Sequence, residues 1–350
     1  MANKSRSTQA DIARLAGVSQ ALVSYVVNNN PNVKIPEETR QRIQDAIKEL
    51  EYVPNALARG LRSGQTKTIG LVVPDNSNPF FAEIARVIEN LGFENGYSVI
   101  LCNSDYELEK ENAYVDVLLA KQADGVIFIS SGGDKEISQK LQESHIPFVI
   151  VDREITGFQT DVVRMDYQLG GYLATKYLVK LGHQEIACIT GSPRFLPNDQ
   201  RLDGYYQALE EAGIPLNPSL VVQGDFRIQG GSVAMKHLLG LQNPPTAVFA
   251  CNDLMAFGAI QVIRQNGLSI PKDISIIGYD DIPFAQAMDP SLTTVAQPVP
   301  EIAQSTMTSL LRQMKNKYPA GKPSMSRQIV IQPKLIIRES TAPRSNSNAG

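Results

Sequence analysis

The chain has 350 residues, 43% hydrophobic and 20% charged, with a net charge of −3. This is ordinary globular composition, long enough for two or three domains and unlike that of disordered or fibrous chains. No apolar run approaches the roughly 20 residues of a membrane span, and the N-terminus MANKSRSTQADIARLAG lacks the apolar core of an export signal, which points to the cytoplasm.

The charge is uneven. Residues 1–67 carry 10 Lys+Arg against 6 Asp+Glu, a net of +4, and the remainder carries 23 against 30, a net of −7. A small basic head on a larger acidic body suggests a polyanion partner for the head. Cys102, Cys188 and Cys251 are far apart in the sequence and each lies in an apolar run. They read as buried thiols in a reducing compartment, with neither disulfide nor metal-ligand spacing.

Thr8-Gln9-Ala10-Asp11 has the form of a capping box and starts a helix whose apolar face is Ile12, Leu15 and Ala16. Gly17 can take the left-handed conformation that stops it. Ser19 caps a second helix, Gln20 to Val27, and a third is expected from Pro36 to Leu50, with Ile43, Ile47 and Leu50 as its stripe. Two short helices about a glycine-bearing turn make a helix-turn-helix; such a hairpin need not bind DNA. Residues 52–66 follow as a half-competent basic helix, weakened by Gly60 and carrying Leu61 among Arg59, Arg62 and Lys67.

From Lys67 apolar strands alternate with helices: TIGLVVP, a helix around Phe80–Glu94, YSVILC, a helix near Glu107–Lys121, DGVIFI and IPFVIVD. The order repeats with EIACIT, a helix after Arg201, LVVQGDF, a helix near Gly230–Leu239, TAVFACND, a helix from Leu254 to Asn266, and ISIIGYD. Continuous Val/Ile runs between helices indicate two parallel sheets covered on both faces, with ligands expected at the carboxyl ends of their strands. Polar and aromatic residues gather there: Asp75 to Phe81, Asp152 and Arg153, Asn198 and Arg201, Phe226, Asn252 and Asp253, Asp280 and Asp281, and Gln297. Asp253 and Asn198 also have claims as helix caps. Neither His145, His183 nor His237 lies in a triad or metal motif, no phosphate loop is present, and Asp280-Asp281 are neighbours that point apart. The chain therefore reads as a non-enzyme, with no catalytic residue, metal site or cofactor expected.

DIARLAGVSQALVSYVVNN resembles the DNA-binding signature of the lactose/galactose (LacI/GalR) repressor family, whose usual form is D-V-A-x-x-A-G-V-S-x-x-T-V-S-R-V-L-N. The resemblance implies that Gln20, Ala21 and Tyr25 face base edges in the major groove, while Thr8, Ser19, Ser24, Asn28 and Thr39 touch phosphates. Tyr25 stands where the family usually has Arg, which removes a bidentate guanine contact and implies a different operator. Leu22 replaces the usual Thr. YVPNALARGL resembles the family's hinge helix, with Asn55, Ala58 and Leu61 on the DNA and Leu61 as a minor-groove wedge; a plain linker is the alternative.

The body resembles the periplasmic-binding-protein fold that the family uses as a sensor, in LGHQEIACITG, NDLMAFGAI and GYDDIPFAQAMDPSLTTVAQP. The resemblance is closest to the ribose-binding branch, which implies effector contacts from Asn78, Phe80, Phe81, Asp152, Arg153, Arg201, Phe226, Asn252, Asp280 and Gln297. The implied architecture is α/β: a helix-turn-helix head (1–51), a hinge helix (52–66), and a core (67–340) of two doubly wound parallel-sheet subdomains. The first covers about 67–163 and 298–324 and the second about 164–292 and 327–340, with crossings near Arg164, Leu292–Thr294 and Ser324–Arg327. Residues 341–350 read as a disordered tail.

The expected function is a homodimeric regulator that binds a pseudo-palindromic operator, most often as a repressor, and responds to a small effector, a monosaccharide. No membrane partner is expected. A nucleobase effector, a catabolite regulator driven by a phosphorylated partner protein, and a periplasmic sugar-binding protein are the alternatives, the last opposed by the intact head. Arg201→Ala is expected to abolish the response without unfolding the chain.

Overall fold

The computed structural model describes residues 7–28, 33–53, 64–129, 135–152, 160–192, 196–315 and 327–344. The chain divides into two compact units, one ending at Thr66 and one beginning at Lys67. Most of the expected hinge helix, with Asn55, Ala58 and Leu61, lies outside the described residues, as do Arg153 and positions 345–350.

The first unit is built as its sequence dictates. Helix α1, Gln9–Ala16, begins with a complete capping box between Thr8 and Asp11 and ends at Gly17 with φ 64°. Helix α2, Gln20–Val27, is capped by Ser19, and helix α3, Glu37–Glu49, follows. Their inward faces meet in a core of Ile12, Val23, Val26 and Ile43, against which Leu22, Ile47, Leu50 and Tyr52 are partly buried. Full burial of each large aliphatic side chain contributes about 1.5–3 kcal/mol, so the head has few large contributors. Leu15, expected on the inner face of α1, is instead 47% exposed.

The second unit contains two six-stranded sheets, ordered β11-β5-β4-β3-β1-β2 and β12-β10-β9-β8-β6-β7. The strands of the first are β1 (Thr68–Val73), β2 (Ser98–Asn103), β3 (Gly125–Ile129), β4 (Phe148–Val151), β5 (Asp161–Met165) and β11 (Gln328–Ile331). Those of the second are β6 (Ile186–Thr190), β7 (Val221–Gln223), β8 (Ala247–Ala250), β9 (Ser275–Asp280), β10 (Thr293–Ala296) and β12 (Lys334–Ile336). All pairings are parallel except β10 with the edge strand β12. Central strands such as β3, β4, β6 and β8 are buried at every position, which is why their sequences are near-continuous apolar runs.

Two crossing points differ from the sequence reading. Strand β10 pairs with β9 in the second sheet, so the second crossing follows Ala296 and does not fall at 292–294. Strand β11 pairs with β5 in the first sheet while β12 joins the second, which moves the third crossing from 324–327 to the Gln332-Pro333 step. The first crossing lies at Asp166, which caps the helix Tyr167–Lys180 through a bond from the Leu169 amide. Strands β5, β11 and β12 were not anticipated; β11 and β12 are edge strands with exposed positions, which leaves little apolar signal.

The C-terminal segment also departs from expectation. Thr341 to Arg344 are tied down: the Ala342 carbonyl accepts from His183 Nε2 at 3.1 Å and from Ser275 Oγ at 3.3 Å, and the Arg344 amide donates to Leu181 at 2.9 Å. His183 is therefore a buried clamp for this segment. The three cysteines are free and buried, and the fold brings Cys188 of β6 to 3.9 Å from Cys251, which follows the end of the neighbouring β8.

Candidate functional site

In the head, Gln20, Ala21 and Tyr25 are all exposed, with Tyr25 at 39%. Ala21 and Tyr25, four apart, share one helical face, and Val23 and Val26 turn into the core. Of the expected phosphate contacts, Thr8, Ser19 and Asn28 are exposed and Thr39 is half-buried at the start of α3. Ser24 is buried, and its hydroxyl accepts from Asn28 Nδ2 at 3.2 Å. Through that bond it braces Asn28. Leu22, in place of a hydroxyl residue, packs on the head core.

In the second unit the carboxyl ends of both sheets face one cleft, with about 460 Å³ of space not filled by protein, partly open to solvent. Its lining holds Asn78, Phe80, Phe81, Asp152, Arg201, Phe226, Asn252, Asp280 and Gln297, so every described member of the sequence-derived set converges there. The first subdomain supplies Asn78, whose side chain accepts from the Phe80 amide at 3.0 Å and caps the helix Pro79–Glu94. That cap fixes Phe80 and Phe81, whose rings meet edge to face with centroids 5.1 Å apart.

The second subdomain supplies the cation. Arg201 lies inside the helix Leu196–Glu211, which begins earlier than the sequence suggested. Asn198 is also helical, and its side chain accepts from the Gly191 amide at 2.5 Å in place of capping. Arg201 is 5% exposed, and its guanidinium lies 4.0 Å from the centroid of Tyr279 and 4.8 Å from that of Tyr167. Nη1 donates to the Cys251 carbonyl at 2.6 Å, and Nη2 is 3.9 Å from Asp280 Oδ1. Gln297 Nε2 donates to the same Asp280 oxygen at 2.6 Å. Arg201 Nε and Gln297 Oε1 are both buried without a hydrogen-bond partner among the described residues.

Burial raises both cleft carboxyls. Asp280 rises to about 7, partly offset by Arg201 and Gln297; Asp152 rises to about 6, partly offset by Tyr167 and Arg201. Asp152, Phe226, Asp280 and Asp281 all have positive φ, at 71°, 64°, 113° and 56°. Such backbone strain costs about 1–3 kcal/mol per residue and gathers where function requires it.

Asn252, not Asp253, caps the helix Asp253–Gln265 by accepting from Met255 at 2.9 Å, and its Nδ2 donates to the Phe226 carbonyl at 2.8 Å. Asp253 is a buried brace that accepts from the Ile282 amide and the Thr294 hydroxyl. Asp280 and Asp281 diverge as expected: Asp281 accepts from Arg338 at 2.7 Å.

The sequence reading missed Tyr106 and Tyr167, which also line the cleft. Tyr167 lies two residues past the end of β5, and a reading that included β5 would have found it by the same strand-end rule. The placement of Arg201 further depends on close helix contact, since a Cβ on Gly171 would lie 2.0 Å from the Arg201 carbonyl oxygen. Gly171→Ala is therefore expected to lower core stability by about 1–3 kcal/mol by overpacking and to weaken effector binding. An unchanged midpoint in urea denaturation would contradict this.

The pattern described as "Periplasmic binding proteins and sugar binding domain of LacI family" matches residues 66–339, and that described as "Bacterial regulatory proteins, lacI family" matches residues 8–55. The HTH-type transcriptional regulator DegA of Bacillus subtilis (strain 168) is 38% identical over 341 residues, covering 97% of this chain and 99% of that protein. The ribose operon repressor of Haemophilus influenzae is 38% identical over 335 residues, covering 95% and 98%. Among solved structures, a LacI family transcriptional regulator from Enterococcus faecium with bound ribose shares 34% identity and a TM-score of 0.71, covering 79% of this chain and 100% of that one. The lac repressor dimer bound to operator and the anti-inducer ONPF shares 28% identity and a TM-score of 0.83, covering 96% and 99%. These relatives are named as transcriptional regulators and repressors. With its helix-turn-helix head and two-sheet core around a polar, aromatic cleft, the chain belongs to the LacI family of DNA-binding transcriptional regulators.

Proposed function

We propose that the chain is an operator-binding repressor whose DNA affinity is set by a monosaccharide held between the two core subdomains. The observation that carries this reading is the buried Arg201, stacked between tyrosines and flanked by Asp280 and Asp152. Carboxylates and a guanidinium pair vicinal hydroxyls bidentately, and a ligand lacking those hydroxyls leaves them unpaired. Arg201 Nε adds a free donor and Gln297 Oε1 a free acceptor, matching hydroxyl groups, which both accept and donate. The Phe80, Phe81 and Phe226 rings suit the C–H faces of a sugar. The bound ribose of the E. faecium relative supports the same class.

Operator recognition is assigned to Gln20, Ala21 and Tyr25, with Ser19, Asn28, Thr8 and Thr39 on the backbone. Leu61, Asn55 and Ala58 are assigned to the minor groove by resemblance alone. A second copy is the expected partner. It would cover the edge strand β2 and its surroundings, where Leu101, Leu108 and Val117 are 44%, 45% and 43% exposed, an edge that proteins otherwise protect. A one-to-one complex of monomer with operator would contradict the dimer.

The deciding experiment is a thermal-shift screen against monosaccharides, sugar phosphates, nucleosides and purine bases, followed by an operator-binding assay with and without the hit. A ligand at 100 times its Kd adds about 2.7 kcal/mol of stability. A single sugar is expected to shift the melting temperature and change operator affinity. A purine hit with no sugar hit would replace the monosaccharide by a nucleobase. Silence from every class would turn attention to a partner protein as the effector.

A further inference from the structure

The loop after β2 holds Asp105 and Tyr106 consecutively in the left-handed region, with φ 53° and 62°. Non-glycine residues stay there only where the surroundings over-determine the backbone, and here they do. Asn103 Nδ2 donates to Asp105 at 2.6 Å, while Asn103 Oδ1 accepts from the Asn76 amide at 2.6 Å. Lys110 clamps Asp105 and Glu107 at 2.7 and 2.9 Å. The Ser104 amide donates to Val73 at 2.9 Å, which fastens the loop to the end of β1.

This rigid loop delivers the Tyr106 side chain into the cleft lining. Burial, aided by the negative charges of Asp75 and Asp280, raises the phenol well above its ordinary range, and Arg227 and Arg201 oppose that rise. A first-subdomain side chain is thus in electrostatic reach of three groups from the second. Beside it, Arg227 Nε of the second subdomain stands 4.0 Å from Asp75 Oδ2 of the first, so both features meet where the subdomains face each other.

On the monosaccharide reading above, we propose that Tyr106 sets effector selectivity, its ring forming a fixed wall that limits the cleft to a single sugar ring. The argument is steric and conformational. A ring on a mobile loop would be carried aside by a longer ligand, whereas here five hydrogen bonds around Tyr106 hold the loop backbone in place, so the ring can yield only by a rotamer change of its own. A ligand extended by a second ring toward Tyr106 meets the wall, whereas a single ring does not have to pass it.

The test is calorimetric titration of the full chain with a panel of pentoses and hexoses including D-ribose, with the disaccharide cellobiose, and with hypoxanthine. Tyr106→Gly removes the ring and relieves the left-handed backbone, so folding is preserved; Tyr106→Phe keeps the ring and removes only the hydroxyl. The wild type and Tyr106→Phe are expected to bind a monosaccharide and exclude cellobiose. Tyr106→Gly is expected to bind that monosaccharide at least about tenfold more weakly and to narrow its preference over cellobiose by a similar factor, the scale of lost wall contacts in a fitted pocket. Unchanged affinity and exclusion in Tyr106→Gly would overturn the role of Tyr106 while leaving the monosaccharide reading intact. A wild type that binds hypoxanthine and no sugar would overturn the monosaccharide reading itself.

Discussion

Arg201→Lys is expected to leave the core folded while weakening effector binding by roughly a hundredfold, so that effector concentrations saturating the wild type no longer change operator affinity. Lysine keeps the charge that Asp280 and Asp152 require but lacks the planar fork, the free Nε donor and the stacking on Tyr167 and Tyr279. A hydrogen bond to a charged group contributes about 1.5–3 kcal/mol, so one lost with its stacking accounts for that factor. Arg201→Ala is a different experiment. Arg201 is woven into the second subdomain through the Cys251 carbonyl and the tyrosine stack, and its removal leaves two buried carboxyls without a counter-charge. Breaking a buried pair in this way costs about 3–5 kcal/mol. The alanine variant should therefore melt early, contrary to the sequence-based expectation that folding survives it. Titration calorimetry of the lysine variant, beside its melting curve, decides the matter; wild-type affinity would mean that Arg201 is a structural cation and not a ligand contact.

The sheets were legible because parallel strands buried on both faces must be apolar throughout, and the helix caps because Thr8, Asp11 and Ser19 carry their own chemistry. The cleft was legible for a similar reason: the carboxyl ends of the strands converge, so polar residues placed there in sequence meet in space. What escaped was set by tertiary structure. Gln328–Ile331 and Lys334–Ile336 are short edge strands whose membership in different sheets depends on a crossing at Gln332-Pro333 that no local pattern marks. Asn252 and Asp253 could not be ranked as cap and brace from the sequence, since both are competent caps and only the fold presents Thr294 and Ile282 to Asp253. Tyr106 was passed over because its loop resembles any polar connection; its position follows from two left-handed residues that sequence does not announce. Ser24 was read from its place in the motif, and its bond to Asn28 is a packing feature that the motif does not announce.

Effector affinity should rise with pH between about 5.5 and 8. In the effector-free cleft, burial raises Asp280 to about 7 and Asp152 to about 6 from an ordinary 3.8. Both are therefore largely protonated at the acidic end of that range. The other groups facing them are Arg201, held charged, and the phenols of Tyr167, Tyr279 and Tyr106, all raised and neutral throughout. For the empty core, a raised carboxyl pKa contributes stability that is fully present below the unfolded value near 4 and lost as pH climbs through 6 to 7. Effector binding has the opposite sign, because sugar hydroxyls donate to the ionised carboxylates, lower their pKa and release protons. Two such groups give an affinity gain of roughly tenfold to a hundredfold across the window, levelling off near pH 8. The proton release should appear in calorimetry as a binding enthalpy that changes with the ionisation enthalpy of the buffer at pH 6.5. Asp280→Asn, which fixes the higher of the two groups as neutral, should weaken binding and flatten the upper part of the profile. A flat wild-type profile with no buffer dependence would mean that the carboxyls are ionised before the effector arrives or do not touch it.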